Sequence, residues 1–238
     1  MLNTKLIDNL EKLSQPENYL WSANWVENWN RVAAKVKKSF TPFELQLSFI
    51  EEEFNEVLEE LEKGDGGDHL LKEACDLHVV TSYAAYLVND NHENWSNLFD
   101  NPRGLKFKIG EFYDTLIAAK NSSKQRASAY RLAELSTALL FQLRGDVKGM
   151  MWKVLKSNDS KFAKINHLRY SHGASADMSN EWLVELEIKD LERRFEGRYE
   201  GFVAKEEFYN GNKVIIFLDS KGKIMKPSSF KDVTEYYI

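Results

Sequence analysis

From Leu47 to Leu61 the apolar positions Leu47, Ile50, Phe54, Val57, Leu58 and Leu61 recur every three or four residues, with Glu52, Glu53, Glu56, Glu59 and Glu60 on the other faces. That period predicts an amphipathic helix. It stops at Gly64-Asp65-Gly66-Gly67, a string too rich in glycine to continue, and Asp68 is placed to cap a second helix. Leu70, Leu71, Ala74, Leu77, Val80, Ala84 and Leu87 give that helix its apolar side, so an antiparallel helix pair is expected. Upstream, Trp21, Trp25 and Trp29 share one face of a first helix. Helical patterns reach about residue 156, a further helix is expected over 180–195, and 163–180 reads as a loop. From Gly201 onward β-formers alternate around Asn210-Gly211 and Lys221-Gly222, both hairpin turns. Phe202-Val203, Val214–Phe217 and Ile224-Met225 are expected to build a small antiparallel sheet. The predicted fold is mainly α: a helical bundle over 1–160, then a C-terminal helix with a small antiparallel β element over 161–238.

The acids on the helix pair are the main candidate chemistry. Glu53 with Glu56, and Glu73 with Asp76, each have i,i+3 spacing, which puts two carboxylates on one helix face. Like charges so placed repel by roughly 0.2–0.5 kcal/mol per pair. Glu51 to Glu60 alone reads more often as a solvated acidic face than as a metal site. Glu73 and Asp76, however, lie within a largely apolar helix, where unpaired charge is expensive. A hard divalent ion between the helices removes the conflict, and Mg²⁺ in particular shares its shell with phosphate oxygens.

Glu-Glu-x-x-Glu at 52–56 followed by Glu-x-x-Asp at 73–76 resembles the paired motif of the MazG-like, all-α nucleoside triphosphate pyrophosphohydrolase superfamily. Ser157-Asn158-Asp159-Ser160-Lys161-Phe162 is similar to the Ser-Asn-Met-Ser-Lys segment of phage-type members, with Asp159 in place of Met. Asp219 to Phe230 is similar to the Asp-Gly-Lys-x-x-Lys-x-x-x-Phe/Tyr tail of those proteins, while 90–145 and 163–200 carry no match. The resemblance implies an enzyme that hydrolyses a (d)NTP to (d)NMP and pyrophosphate with metal-activated water. Its ligands would be Glu53, Glu56, Glu73 and Asp76, holding Mg²⁺ with Mn²⁺ as a possible substitute. Glu53, and Glu52 if it does not simply face solvent, would serve the attacking water. A dUTPase-like or phosphoribosyl-ATP specificity, and a non-catalytic nucleotide-binding or structural helical protein, are the alternatives. The resemblance also implies a homodimer, although two helix pairs in one chain can complete a four-helix core alone.

Ser157, Asn158, Ser160 and Lys161 carry hydroxyl, amide and ammonium donors suited to phosphate, with Lys226 a further cation from the tail. The competing reading is that Ser157 or Asn158 ends one helix and Ser160 caps the next. Asn24, Trp25 and Asn28 are the nucleoside candidates, against a plain packing role for the tryptophan stripe. A gapless shift of 58 also lays Glu53-Phe54-Asn55-Glu56 on Glu111-Phe112-Tyr113-Asp114, and Asp76-Leu77 on Glu134-Leu135. Glu73 lands on Arg131. Either the second stretch is a repeat that has lost part of its acids and serves as scaffold, or two amphipathic pairs share a phase by coincidence.

Composition sets limits. At 238 residues with 43% hydrophobic positions and four prolines the chain reads as globular, able to bury a substantial core. A net charge of −5 gives no basic footprint for nucleic acid, and no apolar run is long enough for a membrane or signal segment. Cys75 is the single cysteine, so no intrachain disulfide forms, and the cytoplasm is the expected compartment. One cysteine and five scattered histidines make a poor zinc set, and Cys75 reads as a packing residue. Gly64-Asp65-Gly66-Gly67 lacks the Lys-Ser/Thr of a P-loop and is read as a turn.

Overall fold

The computed structural model describes residues 18–64, 67–89, 96–100, 104–121 and 125–236. Its elements are α1 (Leu20–Lys37), α2 (Phe43–Lys63), α3 (Asp68–Leu87), a 3-10 turn (Ser96–Phe99), α4 (Ile109–Asn121), α5 (Gln125–Gln142), α6 (Val147–Asp159), β1 (Phe162–Ala163), α7 (Ile165–Ser171), α8 (Asn180–Arg194), β2 (Val203–Tyr209), β3 (Asn212–Leu218) and a second 3-10 turn (Val233–Glu235). The fold is therefore mainly helical, with a small antiparallel sheet near the C-terminus. Among the described residues no helix is long and apolar enough to cross a membrane. The chain divides into two compact units: unit 1 runs through Glu27 and over Thr41–Val154, and unit 2 holds Asn28–Phe40 and Leu155 onward.

In unit 1, α2 buries Leu47, Ile50, Phe54 and Val57, as its apolar period predicts, while Leu61 stays exposed near the helix end. Gly64 terminates the helix at φ 73, a left-handed conformation that glycine adopts without a Cβ clash, and its N–H closes on the Glu60 carbonyl. Asp65 and Gly66 of the expected turn lie outside the described residues. Asp68 is the first residue of α3 and does not cap it; Gly67 holds the N-cap position with no side-chain bond. The Asp68 carboxylate still sits in the first turn, where the helix dipole favours it.

α3 is buried on more sides than its apolar residues alone predict, because Cys75, His78, Thr81, Ser82 and Tyr83 are also enclosed. It packs against both α2 and α5; α5 packs on α4, and α4 on α2, which closes a four-helix bundle. Phe54 and Phe112 stack at the α2/α4 contact with centroids 4.5 Å apart. Truncating either ring to Ala should cost about 3–5 kcal/mol. The buried hydroxyls are satisfied: Thr81 Oγ1 of α3 meets Ser136 Oγ of α5 at 2.7 Å, and Thr137 Oγ1 donates to the Ala133 carbonyl within α5. His78 is a core histidine whose Nε2 meets Ser22 Oγ at 3.0 Å, and burial drives its pKa down to about 3.

Unit 2 is built on the sheet order β1-β3-β2, antiparallel throughout. The Asn210-Gly211 hairpin forms as expected, with positive φ at both residues (48 and 73), the requirement of a type I′ turn. The third strand is not Ile224-Met225, which contributes only a bridge from Ile224 to Leu218. The bridge is closed by Asp219 N–H to the Lys223 carbonyl and Met225 N–H to the Phe217 carbonyl, and the buried Asp219 carboxylate holds the turn between them by accepting from the Lys221 and Lys223 N–H groups. Phe162–Ala163 fills that edge of β3 instead. The expected loop at 163–180 contains α7, whose Leu168 enters a core with Leu191, Phe202, Ile215 and Phe217. α8 matches its predicted span and is capped by Ser179, which accepts from Trp182 N–H.

Candidate metal centre

α2 and α3 bring their acids to one place. Glu53, Glu73 and Asp76 each present a carboxylate oxygen, the oxygens lying within 4.8 Å of one another, and all three residues are half-buried. Among the described residues this is the group of acidic side chains close enough together that an ion could be held. Glu56 stands beside it: its carboxyl shares a hydrogen bond with Glu73 and lies outside the three-oxygen set. Glu52 is exposed on α2 and is not part of the group.

The electrostatics follow from that crowding. Burial, then the charges of Asp76 and Glu56, push the Glu53 carboxyl up to about 8. Burial, then the bond to Glu73, push Glu56 up to about 7. Lys72, which the paired motif does not include, offsets part of the repulsion. Its Nζ donates to both Glu73 oxygens and to Asp76 Oδ2, each at 2.9 Å. Burial opposes its charge, but Asp76 and the bonds to Glu73 outweigh this and raise its pKa. The signal was present in the chain, since Lys72 stands at i,i+4 from Asp76.

The donor set fits a hard divalent ion. Oxygens around octahedral Mg²⁺ sit roughly 3–4 Å apart, given bonds of about 2.0–2.1 Å, so the three carboxylates need only a small closure. Lys72 occupies two of the acids, but on a flexible, partly exposed stem that can yield to an ion of higher charge. Cys75, between these ligands in sequence, is fully buried with its thiol pushed well up by burial, a packing residue rather than a reactive one.

The second helix pair carries a different arrangement at the matching positions. Arg131 Nε and Nη2 both donate to Glu111 Oε1, and Nη1 donates to Glu134 Oε2 at 3.0 Å. Asp114, the counterpart of Glu56, is exposed.

The remaining candidates fall elsewhere. Ser157, Asn158, Ser160, Lys161 and Lys226 belong to unit 2. Ser157 Oγ donates to the Lys231 carbonyl at 2.9 Å, and Ser160 Oγ donates to the Ser157 carbonyl at 2.7 Å while accepting from Lys231 N–H. Lys161 Nζ donates to Asn158 Oδ1 at 2.7 Å and lies over the Trp29 ring. Asp159 accepts from the Tyr209 hydroxyl at 2.6 Å, and Lys226 is exposed with its Nζ over Phe230. α6 runs on through Ser157 and Asn158 to Asp159, and α7 takes Lys164 as its N-cap, so Ser160 caps no helix. Of the nucleoside candidates, Asn24 is exposed and Trp25 half-buried in unit 1, whereas Asn28 in unit 2 donates to Asn210 Oδ1 at 2.9 Å. Trp29 stacks on Phe162 at 4.7 Å and gives its indole N–H to the Asn158 carbonyl, a packing role.

The chain matches no family model, no curated protein and no solved structure.

Proposed function

We propose that this protein is a divalent-cation-dependent nucleoside triphosphate pyrophosphohydrolase, with Glu53, Glu73 and Asp76 holding Mg²⁺ or Mn²⁺ and a (d)NTP as substrate. The observation that carries the reading is the convergence of three half-buried carboxylates from two helices, one of them pushed to about 8 by burial and its neighbours. Carboxylates crowded this closely, with Lys72 offsetting only part of their repulsion, are the kind of arrangement found at functional sites. The paired motifs at 52–56 and 73–76 supply the reaction class.

Bound there, the ion supplies charge neutralisation for the phosphates and acidifies a nearby water. In the reaction a water oxygen bonds to phosphorus, the anhydride bridge between the α and β phosphates breaks, and nucleoside monophosphate, pyrophosphate and one proton result. Glu53, as a ligand of that ion, would hold the attacking water beside it with its second carboxylate oxygen. Glu56, beside Glu73, would add negative charge at the edge of the ion site. Glu52, exposed, keeps at most an accessory part.

A panel of NTPs and dNTPs incubated with Mg²⁺ or Mn²⁺ tests this directly. Release of pyrophosphate from at least one nucleotide is expected, abolished by EDTA and by Glu53→Gln. Nucleotide binding without turnover under every metal would replace the enzyme with a binding protein.

A further inference from the structure

The two helix pairs of unit 1 keep the same register in space as in sequence. The 58-residue shift matches Glu53 with Glu111 and Asp76 with Glu134. Phe54 and Phe112, paired by the same shift, stack on one another. Contact between a residue and its own counterpart is what a local two-fold axis produces.

Against that register the position of Arg131 has a meaning. It is the counterpart of Glu73, so one corner of the acid set has changed from anion to cation. The new cation bonds the carboxylates that stand where Glu53 and Asp76 stand in the first pair. A guanidinium presents five donors in a fixed planar fork, enough to bridge two carboxylates without an ion.

We infer that Arg131 is the resident cation of the second helix pair: its guanidinium takes the place that a divalent ion takes in the first, and Glu111 with Glu134 forms a closed copy of the centre. The inference rests on the reading of Glu53, Glu73 and Asp76 as ion ligands. It follows that the second pair needs no metal, and that Arg131→Glu, which restores an acid at the changed corner, opens a second divalent-ion site.

The test is a Mn²⁺ titration, followed by the electron paramagnetic resonance of the free ion, on the whole chain and on D76N, R131E and D76N/R131E, with folding checked by circular dichroism. D76N should weaken binding at least 10-fold, and D76N/R131E should regain an ion per chain. R131E alone should hold one ion per chain more than the unaltered protein. Should R131E prove unstable without metal, Mn²⁺ is expected to restore its melting transition. A folded R131E that holds no additional ion, or an unfolded one that Mn²⁺ does not rescue, overturns the inference. Equal binding by the unaltered protein and D76N overturns instead the reading of the first pair, so the two failures are told apart.

Discussion

The helix pairs α2–α3 and α4–α5 face the same electrostatic problem and meet it in opposite ways. In the first, Glu53, Glu56, Glu73 and Asp76 crowd together with partial relief from Lys72, and two of the carboxyls are pushed up to about 8 and about 7. In the second, Arg131 sits between Glu111 and Glu134 and its charge is covalently fixed in place. Phe54 and Phe112, next in sequence to Glu53 and Glu111, are both buried and stack on one another. Similar helices thus differ in whether the carboxylates leave negative charge uncompensated, and that separates a candidate centre from scaffold.

The largest expected difference is in turnover. Glu53→Gln or Asp76→Asn should lower pyrophosphate release by more than the ~10–100-fold that outer-shell partners of a metal cost. The matched changes Glu111→Gln and Glu134→Gln should leave it within about 2-fold, their ion pairs being partly exposed and worth only about 0–1 kcal/mol. Steady-state assays of the four variants with Mg²⁺ check this, and equal losses in both pairs would erase the distinction.

Next comes the response of stability to pH. Without metal, Glu53 and Glu56 have folded-state pKa values of about 8 and about 7. An unfolded glutamate titrates at about 4.3. The folded chain therefore binds more protons between those limits, so the contribution is fully present below about 4.3 and is lost as pH rises through 7 to 8. The melting temperature in EDTA should fall between pH 5 and pH 8.5, recover with Mg²⁺ at the upper end, and lose most of its slope in Glu53→Gln. Glu111→Gln should keep the slope; thermal melts across pH decide.

A smaller effect belongs to Lys72. Lys72→Met removes the ammonium that bonds Glu73 and Asp76. It should lower the melting temperature in EDTA by a few degrees, about 1–2 kcal/mol for a partly buried pair broken on one side. The stabilisation gained on adding Mn²⁺ should grow, because the ion no longer displaces a tethered cation. Smallest of all, Arg131→Gln should cost about 0–1 kcal/mol in denaturant melts.

Much of this was legible in the chain, for physical reasons that vary by element. α2 and α3 announce themselves because amphipathic helices of some twenty residues carry many repeats of their period. The Asn210-Gly211 turn is legible because few residues accept positive φ in succession. β1 is not, since two residues carry no periodicity, and α7 is little longer. Ile224-Met225 does return to β3 as expected, but only as a single bridge to Leu218, a length that alternation cannot distinguish from a strand. In the site, the i,i+3 acids were visible, but only packing could show Glu56 set beside the three-oxygen group and Lys72 upon it.

Closure of Glu53, Glu73 and Asp76 on a divalent ion is the event on which the proposed chemistry depends. Crystals grown with Mn²⁺, recorded at a wavelength where manganese scatters anomalously, put it to the most direct test. The expected result is a peak at about 2.1–2.2 Å from an oxygen of each of the three, with the Lys72 ammonium moved off Glu73 and Asp76. A map with no peak there, and Lys72 still bonded to both acids, would contradict it.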